Sequence, residues 1–301
     1  MRNDSPLKTS RDIHSYPSGE PAERVSSTDR VLGLIDLFTI DSPVWTVDAI
    51  AKQEGIARAT IYRYVKSLVD AGFLAPIGGE AGYSLGPRFV EIDRQIRISD
   101  PLIEHARPVM DDLLHKGADT QILCRFYGER VMTVHELQID PEVRASFDRG
   151  NPFPLFRGAP SKCILAHLST SQQQRLFLKH ANEIAASGLG KNWPDFRSRL
   201  KQINRSGYSA ANDINPSLLG VAAPIFSAPN VVTATICLVR PKAQVRDQDL
   251  GRLAQLAIEA GEAISTRLIA ASSKAAKTVT SSCANFEARP TTAEVAQIPD
   301  G

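Results

Sequence analysis

The stretch GIARATIYRYVKSLVDAGFL, residues 55 to 74, admits few structures. Placed on a helix at about 100° per residue, Ile61, Tyr64, Val65, Leu68 and Val69 gather on one side, and Arg58, Ala59, Tyr62, Arg63, Lys66 and Ser67 on the other. Gly55 breaks the chain before this run, and Gly72 falls where a helix is expected to end. One face is built to pack on neighbouring helices. The other carries three cations, an aromatic ring and a small residue, crowded toward the N-terminal half.

The flanking segments say what such a helix belongs to. Ser27 is expected to cap a first helix, with Val31, Leu34, Ile35 and Phe38 at helical spacing. A second short helix is expected from Thr46, with Asp48 in its first turn and Val47, Ile50 and Ala51 turned inward. After the third helix come FLAP, the Gly-rich turn IGGEAG and YSLG, the pattern of a hairpin. Helix, turn, helix, hairpin is the order of a winged helix-turn-helix module. Arg58, Ala59, Thr60, Tyr62, Arg63 and Lys66 are then the DNA-reading set, because Arg reaches guanine or phosphate, hydroxyls and helix-start amides hold phosphates, and small residues permit close approach. The wing carries Glu80 and no Lys or Arg, so the third helix should dominate, with Arg88 beyond the wing as a backbone contact. The competing reading is an amphipathic helix whose solvated face happens to be basic.

Composition sets outer limits. A chain of 301 residues, 43% hydrophobic, can bury a full core and favours about two domains. Its net charge of +2 argues neither for nor against a polyanionic partner, so the case for DNA rests on local arrangement. There is no apolar run of 18 or more residues, and the first thirty residues lack the apolar centre of a signal peptide, so a cytoplasmic protein without a membrane partner is expected. Cys124, Cys163, Cys237 and Cys283 are scattered, without a CxxC pair, which fits reduced thiols rather than a disulfide framework or zinc ribbon.

The expected organisation is a disordered arm over 1–24, the winged domain over 25–86, a linker helix over 87–100, an α/β domain over 101–271 and a disordered tail over 272–301. In the linker, Phe89, Ile92 and Ile96 fall on one side. In the second domain, QILCRFYG and RVMTVHEL read as one hairpin, and LGVAAPIFSAPNVVTATICLVR as another turning at SAPN. Helices are expected over 101–117, 161–168, 171–179 and 247–268. An antiparallel sheet with helices on its faces leaves a concave site under its connecting loops. The fold class is α+β.

With these segments in order, the chain resembles the isocitrate lyase regulator (IclR) family of bacterial transcription factors, from about Ser26 to about Leu268. The likeness rests on DRVLGLIDLF, GIARATIYRYVKSLVDAGFL and YSLGPRF in the first domain. In the second it rests on PFPLFRGAPSKCILAHL, on GYSAANDINPSLLGVAAPIFSAPNVVTATICLVRP and on the closing helix. The resemblance implies a homodimer or dimer of dimers, paired winged domains on a palindromic double-stranded DNA operator, and a GAF-like C-terminal domain that binds a small-molecule effector. It implies a repressor of a catabolic operon as the default, and contributions to dimer contacts from the first helix and the segment before the linker.

Carried over position by position, the resemblance puts the effector site on Ala159 and Pro160, on Asn212 and Asp213 leading to Gly220, and on Cys237 and Val239 at the back. Members that bind small oxoacids place hydroxyls on that back strand and donor amides in the loop. Here the strand offers a thiol and an isopropyl group, and Pro160 has no N–H. An aromatic or partly apolar acid is therefore expected over a small oxoacid, and a pocket that has lost ligand binding is the other alternative. Lys162 reads equally as an anchor or a pocket residue, and Arg157 as an anion partner or a solvated cation. Cys163 and Cys237 read as small apolar packers rather than nucleophiles. His105, His115, His135 and His167 match no metal template, so neither metal nor cofactor is expected. No GxSxG, HExxH, P-loop or dinucleotide fingerprint occurs, which argues against an enzyme. The rival to a DNA-binding regulator is a sensing module with weak or no DNA binding.

Overall fold

The computed structural model describes residues 26–78, 82–118, 120–138 and 148–287, and the chain divides into two compact units between Asp100 and Pro101. The arm over 1–24, the wing residues Gly79, Glu80 and Ala81, and residues 288–301 of the expected tail lie outside the described residues.

In the first unit, α1 (Ser27–Gly33) is capped by Ser26, one residue earlier than the sequence suggested. Asp29 decides the choice between the two serines: Ser26 Oγ accepts the Asp29 N–H at 3.1 Å, and the Asp29 carboxylate accepts the Ser26 N–H at 3.0 Å, a reciprocal box that Ser27 cannot form. A 3₁₀ turn (Leu34–Leu37) follows, then β1 (Trp45–Thr46) and α2 (Val47–Glu54), capped by Thr46 Oγ1 on the Ala49 N–H at 3.1 Å. Gly55, at φ +65°, ends α2, and α3 (Arg58–Asp70) begins three residues later. Its last turn closes as a Schellman motif around Gly72 (φ +77°), with Phe73 N–H on Leu68 O at 2.8 Å and Gly72 N–H on Val69 O at 2.9 Å. Ile61, Val65 and Leu68 are buried against Leu34, Phe38, Val47, Ile50 and Leu74. Each such side chain stabilises the fold by roughly 1.5–3 kcal/mol through burial.

The wing is β2 (Leu74–Ile77) and β3 (Gly82–Leu85), with β1 on the far edge of β3, all antiparallel. Gly86 closes it back on α3: a Cβ there would stand 2.3 Å from the Gly72 carbonyl oxygen, so only glycine lets the two backbones meet. The helix α4 (Arg88–Ser99) then leaves the wing.

The second unit is built on an antiparallel sheet of order β6-β5-β4-β9-β8-β7. Its strands are β4 (Thr120–Tyr127), β5 (Arg130–Gln138), β6 (Pro152–Phe153), β7 (Ser209–Ala211), β8 (Leu218–Ala228) and β9 (Val231–Pro241). Strand alternation sorts the side chains onto two cores. Ile122, Cys124, Ala222, Cys237 and Val239 face α6 (Ala159–His167), α7 (Thr170–Ala186) and α8 (Trp193–Ser206). Leu123, Val221, Ala223, Ile236 and Leu238 face α5 (Pro101–His115) and α9 (Asp247–Glu287).

Three departures from the sequence reading have physical causes. The helix α8 was not expected, because WPDFRSRLKQINRS is mostly polar; it buries only Phe196 and Leu200 and is started by Asn192, whose Oδ1 accepts the Asp195 N–H at 2.9 Å. The helix α6 starts at Ala159 rather than Ser161, since Gly158 at φ +79° turns the chain and Pro160 is favoured in a first turn. Helix α9 runs to Glu287, beyond the expected end at 268: a segment rich in Ala, Ser and Lys continues a helix already nucleated on the sheet.

Candidate effector pocket and nucleic-acid interface

The surface of α3 that does not pack carries Arg58, Ala59, Tyr62, Arg63, Lys66 and Ser67, all exposed, with Thr60 half-buried beside them. Tyr62 keeps 52% of its surface in solvent although it is aromatic. Nothing in the first unit's core needs that ring, and its outward placement is what a base-contacting or phosphate-contacting helix presents. Ala57, the N-cap of α3, gives the helix no side-chain cap, and of the first-turn amides that of Thr60 is held by the Ala57 carbonyl at 2.9 Å. Arg58 is not a bare cation: its Nε is paired with the Asp48 carboxylate from α2, both side chains about 70% exposed. Arg88 stands apart. Its N–H is on the Gly72 carbonyl at 3.1 Å, at the C-terminal end of α3, about 18 Å along the axis from Arg58. Its guanidinium is paired with Glu91 at 2.8 Å.

The second unit holds a cavity between the start of α6, the loop from β7 to β8, and the central strands. Six of the seven residues expected for an effector line it: Ala159, Pro160, Asn212, Gly220, Cys237 and Val239. The seventh, Asp213, does not. Its carboxylate turns to the start of α6, with Oδ2 on Lys162 Nζ at 2.8 Å and Oδ1 accepting the Gly158 N–H at 2.9 Å, while the Arg157 guanidinium holds its backbone carbonyl. Burial pushes the Asp213 carboxyl up, but the Lys162 and Gly158 donors outweigh it and hold the group below the usual carboxylate range. Lys162 and Arg157 thus act as anchors of the loop.

The rest of the lining is Ile122, Phe153, Gly158, Ala211, Ile214, Asn215 and Leu218, which the sequence reading did not single out. Ile214 was hidden because it lies in a loop without periodicity, and Leu218 because it only begins its strand. Gly158 carried a signal, standing immediately before a helix-initiating Ala-Pro pair: a Cβ there would meet Ile214 Cδ1 at 2.5 Å and Phe153 at 3.3 Å. Gly220 is similar, for a Cβ would lie 3.3 Å from Cys237 Sγ and 3.5 Å from Ala159 Cβ. The walls are therefore mostly apolar, with Asn212 and Asn215 as polar side chains. About 20 Å³ within is open to the centre of a water molecule, room for about one water.

Cys124, Cys163 and Cys237 are free, fully buried thiols in the core below the pocket. Burial pushes the Cys124 thiol up to about 12 and raises those of Cys163 and Cys237 as well, so all three are neutral packing groups. Among the described residues, no group of three or more His, Cys, Asp or Glu side chains is placed to hold a metal ion, and no helix is long and apolar enough to cross a membrane. His167 has Nδ1 on the Cys163 carbonyl at 2.8 Å and its ring against Phe226, and burial lowers its affinity for a proton.

Comparison with known proteins agrees with both units. Residues 98–266 match the family described as bacterial transcriptional regulator IclR C-terminal, and residues 27–77 match the IclR helix-turn-helix domain. The HTH-type transcriptional regulator BhcR of Paracoccus denitrificans is 24% identical over 247 residues, covering 82% of this chain and 88% of its own. KipR of Bacillus subtilis, also an HTH-type transcriptional regulator, is 25% identical, covering 79% of this chain and 94% of its own. Among solved structures, an IclR homologue from Microbacterium hydrocarbonoxydans complexed with 4-hydroxybenzoate superposes with a TM-score of 0.65 at 23% identity, covering 81% of this chain and 100% of its own. The matched families and relatives are transcriptional regulators, not enzymes. With a fold, a basic helix and a family match that together span both units, the chain belongs to the IclR family of DNA-binding bacterial transcriptional regulators.

Proposed function

We propose that this regulator represses a catabolic operon and is controlled by an aromatic or partly apolar acid bound in the α6 pocket. The observation that carries the effector class is the wall chemistry: Ile122, Phe153, Ile214, Leu218, Cys237 and Val239 suit a ring or alkyl body, and Pro160 withholds an amide that a compact oxoacid would need. The solved homologue with bound 4-hydroxybenzoate supports the same class. DNA is read by Arg58, Ala59, Thr60, Tyr62, Arg63 and Lys66 of α3, with Arg88 as a separate phosphate contact. The working form is a homodimer or dimer of dimers on a palindromic operator, where effector binding moves the half-site spacing into or out of register.

Fluorescence anisotropy on the duplex upstream of the protein's own gene, at two salt concentrations, tests the DNA arm. Tight binding should weaken with salt, and Arg63→Ala should weaken it further while lowering the salt slope by about one. Binding no tighter than to a random duplex would sink this reading. Thermal shifts with benzoates and with pyruvate or glyoxylate test the effector arm, and a shift from the oxoacids alone would reverse the assignment.

A further inference from the structure

The pocket as built has a shortage. Its lining residues Ile122, Phe153, Asn212, Asn215, Cys237 and Val239 bring no cation, so an acid entering it meets no counter-charge from the walls. The nearest suitable donors are at the start of α6, and they are taken. Lys162 Nζ and the Gly158 N–H both hold the Asp213 carboxylate, at 2.8 and 2.9 Å. The pair is sheltered, with side chains 17% and 30% exposed. Gly158 also lines the cavity, which brings this donor pair to the edge of the space an effector would fill. Asp213 meanwhile fixes the loop that contributes Asn212, Ile214 and Asn215 to the cavity wall, and that cavity has room for about one water molecule.

We propose that Asp213 is a tethered stand-in for the effector's carboxylate: it occupies a seat formed by Lys162 Nζ and the Gly158 N–H, and an acidic effector binds by displacing it. This rests on the reading of the effector as an acid. The exchange swaps one carboxylate for another, so Lys162 keeps a counter-ion throughout and Asp213 moves into water, where a carboxylate is well solvated. A neutral analogue of the same shape has nothing to trade. The seat therefore selects for charge while the apolar walls select for shape. Releasing the Asp213 carboxylate also removes one anchor of the loop between β7 and β8, leaving the Arg157 guanidinium on its backbone carbonyl, which makes the loop's order depend on occupancy.

Chemical rescue in the full-length protein tests this. Asp213→Ala empties the seat, and melting temperatures are then followed against sodium acetate, sodium benzoate and benzamide, with sodium chloride at matched ionic strength. Acetate and benzoate should stabilise Asp213→Ala saturably, wild type should need about tenfold more of either because its seat is filled most of the time, and benzamide should separate the two proteins little. Adding Lys162→Ala to Asp213→Ala should abolish the gain. A carboxylate response no larger in Asp213→Ala than in wild type overturns the proposal, as does one that survives Lys162→Ala, which would mean simple relief of repulsion. If Asp213→Ala does not fold, Asp213→Asn carries the test by hydrogen exchange: the Gly158 amide should exchange faster than in wild type and regain protection in acetate, and unchanged exchange would refute the seat. Rescue by acetate without any effect of benzoates on DNA binding keeps the seat and rejects the aromatic acid. Control of DNA binding by benzoates without rescue rejects the seat alone.

Discussion

Ser265 Oγ on α9 accepts the backbone N–H of Phe226 on β8 at 2.9 Å and donates to the Gly261 carbonyl at 2.6 Å. The register of β8 against β9 slips between Ile225 and Phe226, and a bulge of this kind takes a backbone N–H off the ladder. A helix hydroxyl supplies the partner that the neighbouring strand no longer offers. Ser265→Ala should cost about 1–3 kcal/mol, the penalty for a sheltered donor left unpaired, read as a lower urea midpoint with an unchanged slope. Gly261→Ala should cost more, since its Cβ would stand 2.5 Å from the Pro224 carbonyl oxygen and push α9 off the sheet. Thr266→Ala, on an exposed position, serves as the control. A Ser265→Ala midpoint equal to wild type would refute the bridge.

The Asp213 ion pair makes a prediction about acid. Burial raises the carboxyl, but the Lys162 and Gly158 donors prevail and hold its folded pKa below the ordinary carboxylate value. A depressed carboxylate stabilises the fold above its unfolded pKa and loses that contribution as pH falls through the folded value. The difference in melting temperature between wild type and Asp213→Asn should therefore be constant above about pH 5 and shrink below it. A gap that widens on acidification would mean that the donors do not act on Asp213 as the geometry indicates.

The three core thiols should be inert while the protein is folded. Burial pushes Cys124 up to about 12 and raises the other two as well, so the thiolate fraction at pH 8 is very small and reagents have no path to it. Iodoacetamide at pH 8 followed by peptide mass spectrometry should leave Cys124, Cys163 and Cys237 unmodified, and all three should label in denaturant. Rapid native labelling of Cys237, which lines the pocket, would show that the pocket opens far more often than its small free volume suggests.

What was legible in the sequence was what is local. The face of α3 follows from spacing within a single helix, and Ile61, Val65 and Leu68 are buried while Arg63 and Lys66 are exposed, as the periodicity requires. Both hairpins of the second unit were marked by their turns. The choice of Ser26 over Ser27 was available in Asp29, three residues on. Helix α8 also left signals, an Asn cap and Phe196, Leu200 and Ile203 at helical spacing, but its polar composition masked them. The Lys162 and Asp213 pair spans 51 residues, and no local pattern encodes such a contact. Resemblance placed Asp213 in the right loop; only the three-dimensional arrangement turns its carboxylate away from the cavity.

Asp48 and Arg58 offer a last test, on the surface proposed to read DNA. Their ion pair is highly exposed on both sides, so its contribution to stability is small and Asp48→Asn should shift the melting temperature little. DNA binding is another matter. If α3 reads DNA as proposed, Arg58 divides itself between Asp48 and a phosphate or base, and the Asp48 carboxylate meets the approaching backbone charge. Asp48→Asn should thus tighten binding to the upstream duplex several-fold at low salt, with the advantage fading as ionic strength rises, because the lost repulsion is screened. The same anisotropy titration, run at two salt concentrations, reads both. Weaker binding in Asp48→Asn would reverse the assignment and give Asp48 a base-contacting role, accepting from an amino group in the major groove. Equal binding at every salt concentration would place the pair away from the DNA, and Arg58 with it.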